Sequence, residues 1–340
     1  MQLIFFFPEI YRLSTGGNVF NKHLLRHFKK YFTIKKVIVN RNFRAADFPF
    51  LGIEDNIWLV DSLLLHYEQW PEFLMSQPQQ DKFLLLHYLN LFDPSKWFSG
   101  EARKEALLLP IFTGFIATSQ YSQQCLLRQG IDPQQIAVIR PGIEQMNFPA
   151  QRSKFNEIPR LLTVSSIFPG KGLLEMIGLM EKLTDLKWRW DIIGEDQLDP
   201  SFTQFFRERL NASAIAGRVK IHSPRKQKEL FSMYARSDIF MLPSHFETCS
   251  MVTMEAMASG LPVIAWQVGG IPELVEHQRT GYLIPYQDEQ FFLEKLRELI
   301  VAKEIRQRLA TASKSKSISL PKWEQSAGKL KDFIQGRTNR

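Results

Sequence analysis

Short apolar runs separated by amphipathic stretches recur along the whole chain. Leu3–Phe7, Val37–Val39, Ile57–Val60, Lys82–Leu86, Gly114–Thr118 and Ala137–Ile139 have the length and composition of buried strands. Between several of them lie stretches with helical spacing, such as Val19–Tyr31 and Gln120–Gln129. After a polar link, Gln151–Pro159, the pattern restarts with Arg160–Val164, Trp188–Ile193, Val219–Ile221, Ile239–Leu242 and Val263–Ala265. Strands of this kind, alternating with helices, form parallel sheets covered on both faces. Two such series predict an α/β protein of two Rossmann-like domains, at residues 1–150 and 151–318. The Lys/Ser stretch Ser313–Ser319 reads as a linker. Residues 319–340 then carry a last helix, near Trp323–Ile334, expected to cross back to the first domain on the apolar anchors Trp323 and Leu330.

Composition narrows the class. A length of 340 residues suits two domains of roughly 150 residues each. Hydrophobic residues at 44% and charged residues at 23% exclude disordered, collagen-like and coiled-coil chains. The only cysteines, Cys125 and Cys249, cannot make a disulfide framework, which points to a reducing compartment. Leu107–Ala117 is broken by Pro110, Thr113 and Gly114, and a bilayer span needs roughly 20 apolar residues. Met1–Glu9 lacks a basic leader and reads as a strand, so the expected location is cytoplasmic.

Basic residues outnumber acidic ones 43 to 35, a formal net charge of +8 that suggests an anionic partner. Lys22, Arg26, Lys29 and Lys30 fall at helical spacing opposite Phe20, Leu24 and Phe28, with His23, His27, Lys35 and Lys36 nearby. Two readings stay open for this stripe: a solvated helix face, or attachment to the anionic inner face of the cytoplasmic membrane. No aromatic-plus-basic platform or zinc finger speaks for nucleic acid.

Ligands of parallel α/β sheets bind beyond the carboxyl ends of the strands, so the strand-to-helix turns are where chemistry is expected. Ser14-Thr15-Gly16-Gly17-Asn18 opens the basic helix, and its paired glycines let backbone amides approach an anion, or simply make a tight turn. Ser165–Gly172 places Lys171 at the start of another helix, the positive end of its dipole; a bound phosphate would offset that cost, or Lys171 points into water. The third turn runs from Leu242 into a helix starting near Ser250 and stopping at Gly260. Amides around Cys249, Ser250 and Met251 can hold phosphate oxygens. Glu255, eight positions after Glu247, would reach a ribose diol, since a carboxylate accepts paired hydrogen bonds.

From Arg218 to Pro285 the chain resembles the carboxyl-terminal domain of retaining glycosyltransferases of the GT-B fold, in glycosyltransferase family four. The resemblance rests on the Glu247/Glu255 pair, on Glu255-Ala256-Met257-Ala258-Ser259-Gly260-Leu261-Pro262-Val263, and on Gly269-Gly270-Ile271-Pro272-Glu273. Thr280–Ile284 resembles the family's next strand, and Ile139–Glu144 its domain-end turn; agreement is weak between residues 40 and 110. The resemblance implies a GT-B enzyme with an inter-domain cleft that moves a sugar from a nucleotide-diphosphate donor, UDP-type favoured over GDP-type, to a saccharide or lipid-linked acceptor. Cell-envelope polysaccharide or lipopolysaccharide synthesis is the setting it implies. Carried over by position, Glu247 contacts the donor sugar, Glu255 the ribose, Lys171 the diphosphate, Gly16 and Gly17 bring backbone to that diphosphate, and His87 lies near the transferred sugar. Ser166 stands where the family usually has an arginine, five residues before the lysine, a charge that Arg140 could replace. No Asp-x-Asp motif occurs, so neither a metal nor any other cofactor is expected. The rival readings are a catalytically silent sugar-nucleotide-binding or scaffold protein, and a GT-B epimerase or phosphorylase.

Overall fold

The computed structural model describes residues 2–44, 48, 56–144 and 156–338. The expected boundary at residues 150 and 151, and the first part of the link Gln151–Pro159, lie outside the described residues. The chain divides into two compact units, one made of residues 1–12, 17–142 and 321–340, the other of residues 13–16 and 143–320.

The first unit holds six parallel strands: β1 (Gln2–Pro8), β2 (Thr33–Val39), β3 (Asn56–Asp61), β4 (Asp81–Leu86), β5 (Gly114–Ala117) and β6 (Ile136–Val138), in the order β2-β1-β3-β4-β5-β6. The second holds β7 (Arg160–Val164), β8 (Arg189–Ile193), β9 (Val219–His222), β10 (Ile239–Leu242), β11 (Val263–Trp266) and β12 (Gly281–Ile284), in the order β12-β11-β10-β7-β8-β9. The apolar strands are the buried ones. Leu3–Phe7 and all of β10 and β11 are enclosed, whereas the edge strands β2 and β9 carry exposed polar residues. Consecutive side chains of the second sheet feed opposite cores: Leu161, Ile192 and Ile264 pack on one face, Leu162, Ile193 and Val263 on the other.

In each sheet the winding reverses once, between β1 and β3 in the first and between β7 and β10 in the second. The loops that follow such a strand pair diverge to opposite faces and leave a crevice at the carboxyl ends. The order of strands therefore decides which distant residues meet.

The last helix, Trp323–Thr338, belongs to the first unit and buries Trp323, Ala327, Leu330 and Ile334 at helical spacing. Trp323 meets the Phe20 ring edge-on at 5.3 Å and stacks on His23 at 4.9 Å, while the Ser326 hydroxyl donates to the Arg140 carbonyl at 2.7 Å. Removing a buried ring of this size costs about 3–5 kcal/mol. Trp323→Ala is accordingly expected to lower the urea midpoint of the first unit's unfolding, followed through the remaining tryptophans.

Three local expectations need correction. Ser313–Ser319 is not a linker: the helix Lys303–Ser317 runs through most of it. Its composition is polar, yet Leu309, Ala310 and Ser313 form a buried stripe and Lys316 pairs with Glu276 at 2.9 Å. The basic helix spans Gly16–Phe28, so Gly16 and Gly17 are its first residues and Lys29 and Lys30 lie in the turn beyond it. Within it His23 and His27 pack inward on the last helix, His27 reaching Glu324 at 3.2 Å. Lys171 precedes its helix, which starts at Leu173 after Gly172.

Candidate functional site

In the second unit the loops after β7 and β10, the pair flanking the reversal, bring Lys171 and Glu247 together. Their Nζ and Oε1 atoms are 2.7 Å apart, both side chains largely withdrawn from solvent. Neither points alone into water. The loop is held by main-chain bonds: His245 N–H donates to Gly170 O at 2.9 Å, and Gly270 N–H to Glu247 O at 2.9 Å. Gly269 makes that second approach possible. It sits at φ 50°, and a Cβ there would lie 1.9 Å from the Glu247 carbonyl oxygen.

The helix Met251–Ala258 follows directly. Ser250 is its N-cap, accepting from the Thr253 N–H, so the amides of Met251 and Val252 have no acceptor inside the helix. Cys249 is half-buried and packs against the core that contains Leu242, Met254 and Ala256. Glu255 is partly exposed at its surface, but its carboxyl lies deep: Oε2 accepts from the fully buried Tyr234 hydroxyl at 2.9 Å. Burial pushes the Glu255 carboxyl up to about 7, the Tyr234 hydrogen bond pulling the other way. Lys171, Glu247, the Ser250-capped helix and Glu255 thus share one end of one sheet, a cation and a helix N-terminus suited to an anion beside carboxylates suited to hydroxyls. Ser166 offers no charge, and its carbonyl accepts from Ser165 Oγ at 3.1 Å.

The first unit has its own cluster at its own reversal. His87, just after β4, packs on the helix Gly16–Phe28: a Cβ at Gly17 would sit 3.0 Å from its ring, and Phe20 lies edge-on at 5.3 Å. Nothing comes within 4 Å of a Cβ placed at Gly16, so of the two glycines Gly17 is the one a close approach requires. His87 Nε2 lies 2.8 Å from Asn21 Oδ1, and Asn21 Nδ2 lies 2.8 Å from Asp61 Oδ2. Burial lowers the imidazole pKa, partly opposed by Asp61. Arg140, half-buried, stands beside the last helix through its carbonyl.

Residues 145–316 match the family model for glycosyl transferases group 1. The chain belongs to that family. Among relatives of the group 1 chain, a D-inositol 3-phosphate glycosyltransferase of Corynebacterium diphtheriae is 28% identical over 230 residues, 63% of this chain and 54% of that protein. The amylovoran biosynthesis glycosyltransferase AmsK of Erwinia amylovora is 31% identical over 194 residues, 54% of this chain and 45% of AmsK. The chain spans about half the length of the relatives it matches. In fold, the group 1 chain is similar to a sucrose-phosphate synthase from Thermosynechococcus elongatus, with TM-score 0.80, 17% identity and coverage of 100% of this chain and 99% of the other. It is also similar to HepE of Anabaena, solved with UDP-glucose, at TM-score 0.79, 16% identity and coverage of 99% and 100%. Both are glycosyltransferase-type two-sheet architectures, and the two Rossmann-like sheets of this chain are GT-B in kind.

Reading the sequence missed Asn21, Asp61 and Tyr234. Asp61 had a signal, a carboxylate at the carboxyl end of the apolar run Ile57–Val60. Asn21 and Tyr234 had none, being single polar positions inside amphipathic helices. Among the described residues no three His, Cys, Asp or Glu side chains converge as metal ligands, and no helix is long and apolar enough to cross a membrane.

Proposed function

We propose that the chain transfers a sugar, with retention of configuration, from a nucleoside-diphosphate sugar to an acceptor hydroxyl. The observation that carries the reading is the Lys171–Glu247 pair at the reversal of the second sheet, with Glu255 on the helix that the same loop starts. On binding, Lys171 turns to the diphosphate and, with the amides of the Met251–Ala258 helix, offsets the charge that grows on the leaving group. Glu247, released from Lys171, accepts from hydroxyls of the donor sugar, and Glu255 accepts from the ribose diol. His87 acts at the transferred sugar. No metal enters this scheme, because Lys171 supplies its cation and the helix amides their partial positive charge; chelation by EDTA should leave the rate unchanged.

UDP is the favoured nucleotide, supported by the solved complexes of HepE with UDP-glucose and with UDP. An envelope-polysaccharide acceptor is supported by relatives named for amylovoran and colanic acid biosynthesis. A thermal-shift screen of nucleoside diphosphates, followed by donor hydrolysis and the anomeric configuration of the product, tests the reading. Stabilisation by UDP without any hydrolysis or transfer would favour a silent binding protein, the alternative that Ser166 in place of an arginine supports. The exposed residues Lys22, Arg26, Lys29 and Lys30 fit a membrane-bound acceptor, at about 1 kcal/mol per basic residue near an anionic leaflet. Neutralising the four is expected to abolish salt-sensitive co-sedimentation with anionic vesicles.

A further inference from the structure

The polar chain in the first unit has a direction that its atoms dictate. Asp61 is fully buried at the end of β3; its Oδ1 accepts from the Leu63 N–H at 3.0 Å and its Oδ2 from Asn21 at 2.8 Å. A carboxylate has lone pairs and no proton, so the end of Asn21 facing it must be the NH2 group. The other end of Asn21, also fully buried, is then the carbonyl, 2.8 Å from His87 Nε2. A carbonyl only accepts. The ring nitrogen opposite it must therefore carry a hydrogen, since two lone pairs at that distance repel.

We propose that Asp61, acting through Asn21, fixes His87 as the Nε2–H tautomer and so makes Nδ1 the lone-pair nitrogen. Asp61 and Asn21 are positioning residues in this scheme. Direct contact does not replace the relay, because His87 Nε2 and Asp61 Oδ2 are 3.7 Å apart. The ring has little freedom to escape the assignment. Gly17 backs it at 3.0 Å from a virtual Cβ, Phe20 meets its edge, and Ser62 Oγ accepts the His87 backbone N–H at 3.0 Å. Burial of the ring disfavours its cationic form, so that the neutral tautomers are the relevant ones near neutral pH. Resting on the transfer reading above, the consequence is that His87 meets a ligand as a hydrogen-bond acceptor through Nδ1, with the tautomer set before the ligand arrives. The logic parallels hydrolases in which a buried aspartate sets a histidine's tautomer, here with an amide interposed.

The test is a two-bond proton–nitrogen correlation spectrum of the full chain labelled at histidine, with the His87 signals assigned from their loss in His87→Asn. The wild type at neutral pH is expected to show Nε2 protonated and Nδ1 bare. The opposite tautomer, or an even mixture, overturns the proposal without any variant being needed. In Asp61→Asn the new amide can donate to Asn21, which lets Asn21 turn and present its NH2 group to the ring; the single tautomer should give way to a mixture or to Nδ1–H. Retention of pure Nε2–H in a folded Asp61→Asn protein overturns the part given to Asp61. Where the wild type catalyses transfer, Asp61→Asn should lower kcat by about 100-fold, the scale of a misplaced reacting group, with KM moved far less. A changed tautomer with unchanged kcat would overturn the role of His87 in transfer and leave the tautomer assignment standing, so the two failures are distinguishable.

Discussion

Lys171→Ala is expected to lower the rate of sugar transfer by about 100- to 1,000-fold, the usual cost of removing one preorganised stabiliser of developing negative charge. The same change should weaken binding of a nucleoside diphosphate by about 1.5–3 kcal/mol, as for a lost hydrogen bond to a charged group, and leave the parent nucleoside unaffected. The geometry makes the comparison sharper than a single substitution would. Lys171 is held 2.7 Å from Glu247, so a diphosphate bound there would compete with a carboxylate for it. Glu247→Gln removes that competitor, and free nucleoside diphosphate should bind it as well as or better than the wild type, while turnover falls. Titration calorimetry with UDP and uridine on both variants decides the matter. Equal losses for UDP and uridine in Lys171→Ala would take the lysine off the diphosphate. A Glu247→Gln protein that loses UDP affinity as severely as Lys171→Ala would show the pair to be structural.

The second large effect is a dependence of nucleotide affinity on pH that disappears in Glu255→Ala. Burial raises the Glu255 carboxyl to about 7, so the folded state favours its protonated form. Taken as a contribution to stability, a raised carboxyl helps the fold most below its unfolded value, and that help fades as pH rises through about 7. Ligand binding has the reverse sign. A ribose diol donates to a carboxylate, so it selects the ionised form, and affinity should climb from pH 6 to pH 8. At pH 6, one unit below a value of about 7, binding should be about tenfold weaker than at the alkaline limit. Glu255→Ala is expected to cost about 1–3 kcal/mol at pH 8 and to flatten the profile. Tyr234→Phe removes the hydrogen bond that favours the ionised carboxyl, and should move the midpoint of the profile to higher pH. An unchanged slope in Glu255→Ala would assign the titration to another group.

How far the sequence anticipated these features depends on the distance over which each is decided. Strands such as Arg160–Val164 and Ile239–Leu242 were legible because an apolar run bounded by polar turns is a local pattern, and it matches the observed β7 and β10. The helix from Ser250 to Gly260 was legible for the same reason, its cap and its stop both being written nearby. Pairings were not. Lys171 and Glu247 are 76 positions apart and meet at the reversal between β7 and β10; Asn21 and His87 are 66 apart and meet because the strand order sets β3 between β1 and β4. Alternation of apolar runs does not state that β7 lies beside β10. Composition also misled where packing won: Ser313 looks like linker material, but it is buried on a helix whose Lys316 is tied to Glu276. The glycine pair was legible as the opening of the basic helix, though the helix starts at Gly16 itself and not after the pair.

The last helix has a consequence for how the protein is made. Trp323, Ala327, Leu330 and Ile334 complete the core of the first unit, yet residues 143–320 of the second unit are encoded between them and Gly142. At about 5–20 residues per second, a ribosome needs on the order of ten to forty seconds to cross that interval. Throughout it the first sheet has emerged without the helix that covers Phe20 and Phe83. Of the two units, the one whose sheet leaves the ribosome earlier is thus the last to finish folding, and its uncovered apolar surface is what a chaperone would meet on the nascent chain.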